Sequence, residues 1–146
     1  MIKSIGAIPA SALTQSITVG SGSAVSLTTT QTSNVTSKSL AAGTYLVWAA
    51  VNFSEAAATT TYEACGVNTT SATLPTQAGG GGVGPEGLTQ QTLATTLATE
   101  VDVLKVGPVT VTLASTTTVY LVATATFSAG AVSAYGTLYI QQINVP

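Results

Sequence analysis

Residues 118–143 read TVYLVATATFSAGAVSAYGTLYIQQI, two alternating runs on either side of Ser128-Ala129-Gly130-Ala131. A period of two in β-branched and aromatic residues, broken by small turn residues, predicts a pair of strands. With residues 128–131 as the turn, antiparallel pairing sets Phe127 against Val132, Ala125 against Ala134, Ala123 against Gly136, Leu121 against Leu138 and Val119 against Ile140. Every member of that face is apolar or small, which assigns it to the core. The other face pairs Thr126 with Ser133, Thr124 with Tyr135, Val122 with Thr137 and Tyr120 with Tyr139, and it carries no charge. A slip of one residue in one strand would mix the two sets, so their separation supports the register.

The same period extends upstream. Val109-Thr-Val111-Thr-Leu113 alternates cleanly before the turn at Ser115–Thr117, and Val101–Val106 precedes the punctuation Gly107-Pro108. Thr59–Val67 reads as a further strand, as do the short runs Ile17–Val19 and Val25–Thr28 with Gly20-Ser-Gly22-Ser between them. From Thr44 to Phe53 both parities are largely apolar, which predicts a central strand buried on two sides, with Trp48 in the core. Leu88, Leu93 and Leu97 fall near helical spacing, but the threonines between them weaken a helix, and residues 89–100 stay open between helix and strand. Many short strands with turn signals and no convincing helix predict an all-β chain, an antiparallel β-sandwich or barrel of jelly-roll type. It would occupy residues 16–146. Residues 1–15 carry Ile2, Ile5, Ile8 and Leu13, but Gly6 and Pro9 break any helix, so an extended N-terminal arm is expected.

Composition narrows the function. A chain of 146 residues supports one core without metal or disulfide staples. Charged residues are 5% of it, against about 25% in an ordinary domain, while 45% hydrophobic content and a mean hydropathy of +0.48 argue against disorder. Three lysines, no arginine and a net charge of −2 speak against nucleic-acid binding. The longest apolar run, Leu46–Val51, is far short of the roughly 18–20 residues of a membrane-spanning helix, and the first residues lack the apolar core of a secretory signal. Cys65 is alone and reads as a buried free thiol. The Asn-x-Ser/Thr triplets at Asn34, Asn52 and Asn68 read as chance in a chain so rich in serine and threonine.

Catalysis is discounted on the same grounds. Without histidine no imidazole base serves a nucleophile, and Glu55, Glu63, Glu86, Glu100 and Asp102 show no spacing that pairs carboxylates or holds a metal. Only Glu100 and Asp102 are two apart, and they are assigned to a solvated strand end. No catalytic residue, metal site or cofactor is expected, although acids converging from distant segments would allow a glycosidase-like pair. Gly79, Gly80, Gly81, Gly82, Gly84, Pro85, Glu86 and Gly87 lack the Gly-Lys-Ser/Thr ending of a phosphate-binding loop, so they read as an exposed loop.

The uncharged second face of residues 118–143 is then the main functional signal. Aromatic enrichment with depletion of charge is the composition of interface cores, so Tyr120, Val122, Thr124, Tyr135, Thr137 and Tyr139 are expected to form a contact between copies of the chain. The runs Val119–Gly130 and Val132–Ile140, with Ala42-Gly43-Thr44-Tyr45 opening a strand upstream, resemble small jelly-roll domains of tailed-phage virion proteins. These include capsid decoration (cement) proteins and fibre tips, similar in architecture to the trimeric tumour-necrosis-factor-like jelly roll. The resemblance implies a protein on the capsid exterior, made in the host cytoplasm, homo-oligomeric with a trimer favoured over a dimer, and bound to the major capsid protein. In that setting Ile2, Ile5, Ile8 and Leu13 would dock the arm on the capsid or fold back onto their own domain. The alternative is a receptor- or glycan-binding tip of a tail or head fibre, using its loops and aromatic side chains.

Overall fold

The computed structural model describes residues 14–76, 87–93 and 101–144. The arm residues Ile2, Ile5, Ile8 and Leu13 and the loop residues Gly79 to Glu86 lie outside these; Gly87 is buried where the chain enters a strand. The strands are β1 (Thr14–Val19), β2 (Val25–Ser26), β3 (Ser33–Leu40), β4 (Gly43–Ala56), β5 (Thr59–Asn68), β6 (Leu88–Thr92), β7 (Val101–Leu113), β8 (Thr117–Ser128) and β9 (Ala131–Asn144). One sheet has the order β1-β9-β4-β7, with β2 also on β9, and the other has β3-β8-β5-β6. Every pairing is antiparallel. The chain crosses between layers at most connections, and the two sheets form the β-sandwich of jelly-roll type expected from the strand pattern.

The final pair of strands departs from expectation in an instructive way. β8 and β9 belong to different sheets, so the register pairing Phe127 with Val132 and Tyr120 with Tyr139 is not formed. β8 lies between β3 and β5, and β9 between β1 and β4. The chain changes layer at Ala129 and Gly130, both left-handed at φ 56° and 63°. Parity nevertheless holds: Val119, Leu121, Ala123 and Ala125 on β8 and Val132, Ala134, Leu138 and Ile140 on β9 are all buried. The two apolar sets meet across the interior and do not lie side by side. Their outer sets therefore point in opposite directions.

β4 sits between β9 and β7, as a central strand should, but only one of its parities is core. Tyr45, Val47, Ala49, Val51 and Phe53 are buried, whereas Leu46 and Trp48 are half-exposed on the outer face. Trp48 is thus not a core residue. On β7 the core positions are Leu104 and Val106 before Gly107-Pro108 and Val109, Val111 and Leu113 after it, a change of parity. Gly107 and Pro108 stand together opposite Trp48, a bulge that resets the alternation without ending the strand. Pro108 is tolerated because β7 is an edge strand, where a missing N–H breaks no central ladder.

Two further segments were illegible as strands. β3, with the sequence SNVTSKSL, buries only Val35 and Leu40 and carries too little apolar content to announce itself. Of the segment left open between helix and strand, residues 89–92 belong to β6 on the edge beside β5, and residues 94–100 lie outside the described residues. Thr14 and Gln15, placed in the arm from sequence, pair with Gln141 and Ile140 in β1.

Candidate functional site

The outer face of the β1-β9-β4-β7 sheet carries Trp48, Tyr135 and Tyr139, half-exposed, together with the exposed Val101 and Val103. Trp48 on β4 is directly opposite Tyr139 on β9, and their rings stack at 5.4 Å between centroids and 7° between planes. Beside them an open groove of about 310 Å³ is lined by Trp48, Lys105, Pro108 and Tyr139. A second hollow of about 230 Å³ between Leu46, Trp48 and Pro108 continues the same surface. On β7, Val101 and Val103 are 50% and 51% exposed. Around this centre the face is hydroxylic: Thr18 and Thr137 share a 2.9 Å hydrogen bond, and Thr44 and Thr112 one of 3.3 Å. Among the described residues pointing out from this sheet, Lys105 is the one charged side chain.

Only half of the interface expected from sequence lies here. Tyr135, Thr137 and Tyr139 are on this face, half-buried, while Tyr120, Val122 and Thr124 are on β8 in the opposite layer. Val122 is fully buried within its own chain. Asn34 and Gly66 flank it in the sheet, and the segment after β5 settles on both. The Asn34 amide donates to Ser71 Oγ at 2.8 Å and its carbonyl accepts from the Ala72 N–H at 2.7 Å, while Pro75 packs on Gly66. Thr124 donates its hydroxyl to the Gln31 carbonyl at 3.0 Å. The single six-residue face is therefore replaced by one centred on Trp48 and Tyr139, which sequence parity missed because Trp48 lay in a run apolar on both sides.

The interior holds a second cluster. Glu55 on β4 and Asp102 on β7 project from one sheet, Glu63 on β5 projects from the other, and carboxylate oxygens of all three lie within 4.8 Å of one another. The absence of a pairing in sequence spacing is thus overturned by the fold, and Asp102 faces inward instead of marking a solvated strand end. Glu100 lies outside the described residues. Glu55 is 3% exposed and Glu63 0%. Gln91 on β6 donates to Glu63 Oε2 at 2.8 Å. Both Glu55 oxygens, Glu63 Oε1 and Asp102 Oδ2 are buried without a hydrogen-bond partner. A signal was present in the sequence: Glu55 is in phase with the core residues Val47, Val51 and Phe53, and Glu63 with Cys65 and Val67.

Burial pushes the Glu63 carboxyl up to about 7, the Gln91 hydrogen bond opposes this, and Asp102 and Glu55 add to it. The Cys65 thiol, a buried free cysteine, is pushed up to about 12 by burial and by the neighbouring Glu63 charge, so it is no nucleophile near neutrality. A raised folded-state value for an acid means that the folded chain keeps a proton the unfolded chain has released. Its contribution is complete below about pH 4.5 and is lost as pH rises through about 7. In chelator-treated protein the urea midpoint is expected to fall between those pH values, by up to about 3 kcal/mol of stability. Glu63→Gln should flatten that dependence, and an unchanged slope in the variant would assign it elsewhere.

No protein-family model and no curated protein matches the chain. Among solved structures it is similar to that of infectious bursal disease virus Gx strain, at 14% identity and a TM-score of 0.49, over 89% of this chain and 32% of that one. The VP2 subviral particle of infectious bursal disease virus aligns at 12% identity and 0.39, over 89% and 32%. A mutant VP2 protein of the same virus, in derived T=1 particles, aligns at 15% and 0.42, over 88% and 28%. The chain spans about a third of the length of these proteins.

Proposed function

We propose that the chain is a non-enzymatic structural protein of a virus particle, which self-associates through the outer face of the β1-β9-β4-β7 sheet and decorates a phage capsid. The observation that carries this reading is the surface itself: a stacked Trp48–Tyr139 pair, exposed Val101 and Val103, and hydroxylic neighbours with, among the described residues, a single charge at Lys105. Such a face has the composition of an interface core with a polar rim. A closed homotrimer is the favoured assembly, with the major capsid protein as its partner and Ile2, Ile5, Ile8 and Leu13 as the docking arm. Binding only the assembled shell would stabilise that shell by mass action.

The test is the oligomeric state of the purified chain by sedimentation equilibrium at micromolar concentration, for wild type and Trp48→Arg. The wild type is expected to be trimeric and the variant monomeric with an unchanged far-UV spectrum. A monomeric wild type, or a variant that assembles equally well, would reject this face as the contact.

A second reading is favoured by one observation, the groove of about 310 Å³ beside the Trp48–Tyr139 stack. Aromatic side chains beside a groove that also holds Lys105 suit a sugar ring, as at the glycan-binding tip of a tail or head fibre. Copy number in purified particles separates the two: hundreds of copies accord with decoration, a handful with a tip.

A further inference from the structure

Glu55, Glu63 and Asp102 come from three strands and both sheets, yet their carboxylate oxygens converge within 4.8 Å. Of the six carboxylate oxygens of these residues, four are buried without any donor, and they include both oxygens of Glu55, which is 3% exposed. A buried carboxylate without donor or counter-charge is strongly disfavoured. Among the described residues the cations are Lys38 and Lys105, and both are exposed. Gln91 satisfies a single oxygen of Glu63 and leaves the rest of the cluster open.

We propose that Glu55, Glu63 and Asp102 form a calcium-binding site that pins the two sheets together from inside the sandwich. Calcium takes about 6–8 oxygen ligands at about 2.3–2.6 Å, so ligands on opposite sides of the ion stand up to about 5 Å apart. The observed span suits that ion with little movement. Magnesium, at about 2.0–2.1 Å and in near-ideal octahedral geometry, would require the cluster to contract. Zinc prefers nitrogen and sulfur, and the chain has no histidine. Glu55 can bind through both free oxygens, Glu63 through Oε1 and Asp102 through Oδ2, with water or main-chain oxygen completing the shell. The ligands assemble only when both sheets are packed, so ion binding is coupled to folding. The ion thereby acts as a cross-layer staple in a chain whose single cysteine allows no intrachain disulfide.

The test uses the full chain, stripped with chelator and dialysed into neutral buffer with potassium chloride. Calcium chloride is titrated by calorimetry, and Tm is followed with calcium, magnesium or chelator. One calcium per chain and a Tm rise of about 5 °C or more are expected, with little response to magnesium. Glu55→Gln and Asp102→Asn keep the side-chain shape and remove a buried charge, so they should fold, lose at least tenfold in calcium affinity and show a Tm indifferent to chelator. Absence of calcium heat and of any Tm response in wild type would overturn the proposal whatever the variants do. Equal responses to calcium and magnesium would overturn the choice of ion, and undiminished calcium binding in both variants would place the ion elsewhere.

Discussion

Phe53→Ala is expected to remove about 4 kcal/mol of stability, a large share of the roughly 5–15 kcal/mol typical of a single domain. Phe53 is completely buried, and its strand is hydrogen-bonded on both sides, to Asp102 of β7 and Ala134 of β9. Truncation loses the transfer free energy of the ring and leaves a cavity that two flanking strands prevent from closing. The position also decides the character of the damage. Asp102 stands directly across from Phe53, so the void opens beside the carboxylate cluster and gives water a path to oxygens that are otherwise dry. The variant's urea midpoint should therefore fall sharply at an unchanged m-value, and the pH dependence that Glu63 imposes should weaken with it. Phe53→Leu, which refills much of the space, should retain more than half of the lost stability. A midpoint for Phe53→Ala within the error of wild type would mean that this end of the interior is not packed as described.

Gly136→Ala is the second large effect, about 3 kcal/mol, by a different route. Gly136 lies on β9 between Val51 of β4 and Val19 of β1. A methyl group there would collide with the Ala50 carbonyl oxygen and stand 3.0 Å from Val51 Cα, both of them backbone atoms of the neighbouring central strand. A flexible side chain could step aside, but a paired strand cannot move without breaking its ladder. The β4–β9 pairing must open locally, and the Trp48–Tyr139 stack a few residues along the same ladder should be disturbed. Loss of stability accompanied by a shifted tryptophan emission is the expected result. Gly20→Ala and Gly22→Ala serve as controls, because nothing lies within 4 Å of the added carbon at either site. They should fall within about 0.5 kcal/mol of wild type. If Gly136→Ala behaves like them, the close approach of the two strands is not real.

The two substitutions also mark which parts of the molecule could be read in advance. Leu121 stands in a clean alternating run, and period two alone places it on a buried face, whereas Phe53 reads as core because its whole run is apolar. β3 could not be found this way, because an edge strand needs few apolar residues and SNVTSKSL supplies two that are buried. Trp48 was misplaced for the opposite reason: both parities of its strand are apolar, so alternation did not say which one faces the core. The Gly107-Pro108 bulge then reverses parity within one continuous strand, something that local composition reads as an end.

By itself the sequence determined the all-β class, a single core and the partition of β8 and β9 into inward and outward residues, since side-chain alternation and burial preference are properties of the local chain. Only the tertiary structure decided which strand lies beside which. It separated β8 from β9, divided the expected tyrosine face between two layers, and left Trp48 and Tyr139 stacked on one of them. It also drew Glu55, Glu63 and Asp102 from both sheets into one buried cluster. The physical reason is common to all of these. A strand's pattern states how much of each face must be hidden, but the partner that hides it, and the groups brought together in doing so, are settled by long-range pairing that residues far apart in the chain decide jointly.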